Sequence, residues 1–163
     1  TYTIRGSTLG HAGVNAIGRG VLTIENSTLN GRALIALRED YGSTWEGTVI
    51  IRNSRWIPSC GKEAQPYLLG ASNDGQHDFG YPCFMPREIT IDGLVIDDTN
   101  HPKNYEGPYL FNDPDGGRAS SRPFAYRLTE QVTIRGVTTA SGKALRISPD
   151  AEFAAKVRVI EAK

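Results

Sequence analysis

Residues 21–29 read VLTIENSTL, and the same arrangement returns as TYTIRGSTL (1–9), TVIIRNSRW (48–56), REITIDGLVI (87–96) and QVTIRGVTT (131–139). Each copy is a β-branched run closed by one special residue. With the central isoleucines aligned (Ile4, Ile24, Ile51, Ile91, Ile134), a charged residue follows every time: Arg5, Glu25, Arg52, Asp92, Arg135. The next position is Gly6, Asn26, Asn53, Gly93 or Gly136. Gly and Asn enter left-handed backbone geometry at low cost, so the column predicts that the chain turns at that point in every copy. Gly and Asn are 26 of the 163 residues, which makes five hits in five by chance of order one in ten thousand.

Working outward, each turn residue is followed by a second short strand, a bend rich in Gly or Asn, and a third segment: GVNAI, ALIAL, PYLLG, PYLFN and ALRI. Three strands and three turns make one coil. The isoleucine returns after 20, 27, 40 and 43 residues, too irregular for a propeller or a helical solenoid but suited to a β-helix, whose loops absorb insertions. The expectation is an all-β chain: a right-handed parallel β-helix of five coils and part of a sixth, with long loops flanking one sheet. The sixth begins in VRVIEA, with Val159 in the isoleucine column. Handedness follows from the bias of parallel crossovers. A short helical turn is expected within 149–156. The isoleucine column is the core, each member contributing roughly 1.5–3 kcal/mol. The Ser, Thr and charged residues alternating with it read as the solvent face.

Lys plus Arg equals Asp plus Glu, eighteen of each, so no overall field recruits nucleic acid or an anionic membrane. The longest apolar run, residues 33–37, falls far short of the about 20 residues of a bilayer span. Neither partner is expected. Residues 1–163 read as a single domain. Thr1 already lies inside a repeat, so the expectation is a piece of a longer β-helix, with missing coils or another chain at its N-terminal edge.

The V-x-I-x-N/G runs, the turn column and the third-strand segments together resemble the right-handed parallel β-helix, or pectate-lyase-like, superfamily, over nearly the whole chain. The resemblance implies an extracellular or periplasmic protein acting on a polysaccharide or oligosaccharide. It also implies a groove on the outer face of the third-strand sheet, walled by loops. The catalytic signatures of the polygalacturonase-like hydrolases do not transfer: Asp97-Asp98 follows a different strand, and Arg146-Ile147-Ser148 lacks the lysine.

Long insertions flank the third strands of coils two to four, and the richest runs through Arg38, Glu39, Asp40, Tyr41 and Trp45. Guanidinium, carboxylate and aromatic groups grip sugar carboxylates, hydroxyls and ring faces. The same residues also fit an ion-paired surface loop anchored by Trp45. Asp74, His77 and Asp78 place a histidine beside carboxylates, suited to proton transfer near neutral pH or to plain surface hydrogen bonding. The catalytic candidates are thus Arg38, Asp40 and His77. The substrate-binding candidates are Glu39, Tyr41, Trp45, Tyr67, Asp74, Asp78 and Tyr109, where Tyr67 and Tyr109 form either a sugar-stacking shelf or an aromatic ladder between coils. Asp113 and Asp115 in FNDPDGG are oxygen donors suited to Ca²⁺, although the run is also a turn sequence without the further ligands of an EF-hand loop. Cys60 and Cys83 are compatible with a disulfide or with two thiols. Three function classes follow: a polysaccharide lyase or glycoside hydrolase, a non-catalytic glycan-binding module, and a structural stalk or tail-spike-like segment.

Overall fold

The computed structural model describes residues 1–10, 14–31, 33–36, 45–58, 65–70, 83–112 and 126–163. The first repeat supplies β1 (Tyr2–Arg5), β2 (Thr8–Leu9) and β3 (Val14–Asn15), and the second supplies β4 (Gly18–Glu25), β5 (Thr28–Gly31) and β6 (Ala33–Ala36). In the third, β7 (Trp45–Pro58) runs through the turn residue without a break, followed by β8 (Tyr67–Gly70) and the short β9 (Cys83–Phe84). The fourth repeat gives β10 (Glu88–Ile96), β11 (Tyr109–Phe111) and β12 (Tyr126–Arg127). The fifth gives β13 (Gln131–Thr139) and α1 (Ala151–Lys156), and β14 (Arg158–Glu161) starts a sixth.

Among the described residues the architecture is all-β, with parallel sheets and one helix. The largest sheet runs β1-β4-β7-β10-β13-β14, with β2 and β5 joining the later half of β7. A second runs β11-β8-β6-β3, and β9 pairs with β12. Arg146 extends the second sheet by a parallel bridge to Tyr109. Successive repeats therefore meet the same neighbours in the same order, and insertions between strands leave the register untouched.

That register lays the isoleucines side by side, Ile4 on Ile24, Ile24 on Ile51, Ile51 on Ile91 and Ile91 on Ile134. The three central members are fully buried, while Ile4 and Ile134 pack partly exposed against the core. The sixth repeat departs from the expected alignment. Val159 lies beside Val132, and Glu161 takes the isoleucine position next to Ile134. Hydrogen bonding thus places VRVIE two residues off the alignment that its apolar pattern suggested.

The turn column is left-handed throughout: φ is 60° at Gly6, 50° at Asn26, 44° at Asn53, 76° at Gly93 and 58° at Gly136. Asn26 and Asn53 are the non-glycine residues with positive φ among the described residues. The serines just after the turns do not belong to the solvent face, since Ser27 and Ser54 are buried. Ser27 Oγ donates to Glu25 O at 2.8 Å and accepts the Ser7 N–H at 3.2 Å. Ser54 Oγ donates to Arg52 O at 2.7 Å and accepts the Ser27 N–H at 3.3 Å. A left-handed kink interrupts the backbone ladder, and these hydroxyls bridge the gap, satisfying polar groups that burial would otherwise penalise.

The expected helical turn is α1. Asp150 caps it by accepting the Phe153 N–H at 3.0 Å, and Phe153 packs edge-on against Phe111 with centroids 5.2 Å apart. No helix among the described residues is long and apolar enough to cross a membrane.

Candidate functional site

Consecutive strand residues point to opposite faces, so a strand buried at every position is covered on both. All residues of β8 and β11 are buried. Tyr67 and Tyr109 are direct register partners in these strands, and they expose only 9 % and 7 % of their surface. The Arg146 guanidinium lies 4.0 Å from the centroid of the Tyr109 ring. Trp45, the first residue of β7, is buried too. Its indole N–H donates to Gly20 O at 3.0 Å, and its ring meets Tyr2 edge-on at 5.5 Å. These three aromatics are packed within the fold rather than gathered at one open surface. Arg38, Glu39, Asp40, Tyr41, Asp74, His77, Asp78, Asp113 and Asp115 lie outside the described residues, as does Cys60; Cys83 opens β9. Among the described residues no group of three or more His, Cys, Asp or Glu is placed to hold a metal ion.

An open groove of about 370 Å³ lies at the corner where the chain returns to the large sheet. It is lined by Glu46, Phe84, Met85, Arg87, Arg127, Leu128 and Glu130. Backbone hydrogen bonds lay three repeats side by side here: Arg87 N–H donates to Gly47 O at 2.8 Å, and Glu130 N–H to Arg87 O at 3.0 Å. Phe84 and Arg127 are register partners in the β9–β12 pair, and the guanidinium sits 5.1 Å from the phenyl centroid. Stacking of this kind contributes about 0.5–1 kcal/mol at an exposed site and fixes the plane of the guanidinium. Arg87 Nε pairs with Glu130 Oε2 at 3.2 Å with both side chains mostly exposed, so the pair is worth little to stability and is free to exchange partners. Arg127 has no carboxylate partner among the described residues. The groove thus combines a pre-oriented cation, a labile ion pair, a further carboxylate in Glu46 and an apolar floor in Met85 and Leu128.

Chain connectivity ties this groove to the insertions. Glu46 follows residues 37–44, Phe84 follows 71–82, and Arg127 follows 113–125, each after one intervening residue. The described chain therefore resumes at one place after each of three long segments. The sequence reading passed over Phe84, Arg87, Arg127 and Glu130. One signal was present: Arg87 and Glu130 both stand four residues before a column isoleucine, which places them just ahead of adjacent strands at the same height.

A second polar cluster lies on the opposite margin of β10. Asp98, fully buried, accepts the Tyr105 hydroxyl at 2.6 Å, the Ser141 N–H at 2.8 Å and the Ser141 hydroxyl at 2.6 Å. His101 stacks on Tyr105 at 4.7 Å. A carboxylate with three donors and no open face acts as a clamp between the 97–108 connection and the next repeat, not as a reacting group.

No protein-family model matches the chain, and neither a curated protein nor a solved structure does.

Proposed function

We propose that the chain is a right-handed parallel β-helix of the pectate-lyase-like kind, exported to the cell exterior or periplasm, and that it acts on a polysaccharide held in the corner groove. The observation that carries this reading is the groove itself: an aromatic-mounted Arg127, the exposed Arg87–Glu130 pair and Glu46, at the point where the described chain resumes after three long insertions. Right-handed winding is what parallel crossovers overwhelmingly adopt. A planar, fixed guanidinium suits an acidic sugar, because it meets a carboxylate through two parallel hydrogen bonds.

Two chemistries fit these groups. In a lyase, Arg127 neutralises the sugar carboxylate while a base removes the neighbouring carbon-bound proton, and the glycosidic oxygen leaves. In a hydrolase, one carboxyl protonates the leaving oxygen and another activates water. Glu46 and Glu130 stand two repeats apart, so their backbones are separated by about 10 Å; with long side chains that spacing favours inversion over retention. Asp40 and His77 remain candidates for the proton-transfer step. A binding module without chemistry is favoured by one observation, that Glu130 is 65 % exposed, without the apolar burial that makes a carboxyl a general acid.

Incubation with acidic and neutral polysaccharides separates these readings. New ultraviolet absorbance indicates a lyase, new reducing ends without it a hydrolase, and retention alone a binder. Arg127→Gln is expected to weaken acidic-glycan binding about tenfold. Unchanged affinity in that variant, or no binding to any polysaccharide by the parent, defeats the proposal.

A further inference from the structure

The stack of repeats has two ends, and they are built differently. β1 ends the large sheet and β3 the second one, each with a neighbouring strand on one side only among the described residues. The backbone groups on their outer edges are therefore open to a further strand. Tyr2 heads a column that continues in register through Leu22, Val49, Ile89 and Val132 to Val159. Its inner members are buried, whereas Tyr2 exposes 62 % of its surface. Ile17, exposed by 54 %, lies at the same end. Between them opens a groove of about 350 Å³, lined by Tyr2, Ile4, Val14, Ile17, Leu22 and Trp45 and by no charged residue.

At the opposite end Glu161 takes the core-facing column position beside Ile134. There α1 follows the last third segment, with Phe153 buried against Phe111. An inward charge and a covering helix are devices that keep a sheet edge from pairing. β1 carries neither. Its charged residue, Arg5, alternates to the outer face and is held by Glu25 at 2.5 Å. Head-to-tail stacking in the same register would set Glu161 beside Ile4, burying a carboxylate in a column that holds no cation, which is costly.

We propose that the N-terminal end is a self-association surface, where two copies of the chain meet about a two-fold axis with β1 antiparallel to β1. Residues directly opposite in an antiparallel pair share a face of the sheet. Centred on Thr3, the pairing sets Tyr2 against Ile4 of the partner subunit on the core side. On the outer side it sets Thr3 against Thr3 of the partner subunit. Aromatic with β-branched and Thr with Thr are favourable cross-strand pairs. The two Arg5 residues stand about 13 Å apart along the strands, so these like charges do not meet. A two-fold contact closes on itself, which leaves both Glu161-bearing ends facing outward. The end of the stack is narrow, so the dimer belongs to the small interfaces that dissociate readily on dilution.

The test is sedimentation velocity and native mass spectrometry of the full chain across the micromolar range, where a monomer–dimer equilibrium is expected. Tyr2→Lys and Ile17→Lys should each weaken dimerisation at least about tenfold. Both side chains are mostly exposed in the single copy, so these variants should melt like the parent when dilute. Val159→Lys, at the other end, should dimerise like the parent. Opposed residues of antiparallel strands lie about 4.5–5.5 Å apart, within disulfide reach. Thr3→Cys is therefore expected to cross-link into a covalent dimer on oxidation and Arg5→Cys is not, with peptide mapping placing the link at position 3 and not at Cys60 or Cys83. A monomer at every concentration, assemblies that grow beyond the dimer, a dimer that both lysine variants at the N-terminal end leave intact, or no cross-link through position 3 would each overturn the proposal.

Discussion

At Asn53 the backbone is left-handed, φ 44°, with the Ser54 hydroxyl already committed to the carbonyl of Arg52. A β-branched residue there clashes with its own backbone, whereas Asn and Gly tolerate the geometry. Asn53→Val is therefore expected to lose more than about 1 kcal/mol in chemical denaturation, with Asn53→Gly near neutral and Asn104→Val in the 97–108 connection small. Equal losses at positions 53 and 104 would remove the turn column as a determinant of the fold. The same scale explains the serines. At Ser27 and Ser54 a hydroxyl supplies the lateral hydrogen bond that the kinked backbone lacks, while the fourth and fifth repeats place Leu94 and Val137 there and fill the space with apolar packing.

Between elements, the charged column couples neighbouring strands across the outer face of the large sheet. Its alternation penalises a slip by one strand, which would set like charges side by side. Hydrogen bonding from Arg135 holds the Asp92 carboxyl below the usual range, with the charges of Arg135 and Arg52 adding to the effect. Because the folded form binds its proton more weakly than the unfolded form, the stabilisation is complete above the unfolded carboxylate value of about 3.9. It disappears as pH falls through the lower folded value. Thermal melting of the parent and of Asp92→Asn should accordingly differ at neutral pH and converge at about pH 2. A difference that persists in acid would mean that Asp92 acts through packing instead of charge.

For the whole molecule, stability should be graded along the stack. Ile51 is fully buried between Ile24 and Ile91, whereas Ile4 has a strand on one side only and Tyr2, its neighbour on the same face, is 62 % exposed. Ile51→Ala is expected to cost about 2–5 kcal/mol, since the cavity is enclosed on both sides. Ile4→Ala should cost less than half of that, measured by denaturant unfolding. Equal costs would contradict a core built from a one-dimensional column of repeats.

Much of this was legible in the residues. The left-handed turn positions could be read because few side chains tolerate that geometry, and the strands because alternation of apolar and polar residues has a period of two. The short helix lies within the expected 149–156, where Asp150 caps its first turn. The aligned columns give the neighbouring strands, but not which side chains then pair or stack across them. Phe84 and Arg127 are 43 residues apart, and only the β9–β12 pairing stacks one on the other. The aligned column already sets Arg52 between Glu25 and Asp92; the structure adds that Arg5 holds Glu25 and Arg135 holds Asp92. Ser27 and Ser54 look like surface residues until the kink turns them inward. Tyr67 and Tyr109 look available for stacking until both faces of their strands are covered. Local backbone preference is a property of a residue and its neighbours, and the chain carries it in its letters. Burial and pairing belong to segments brought together from far apart, and folding alone decides them.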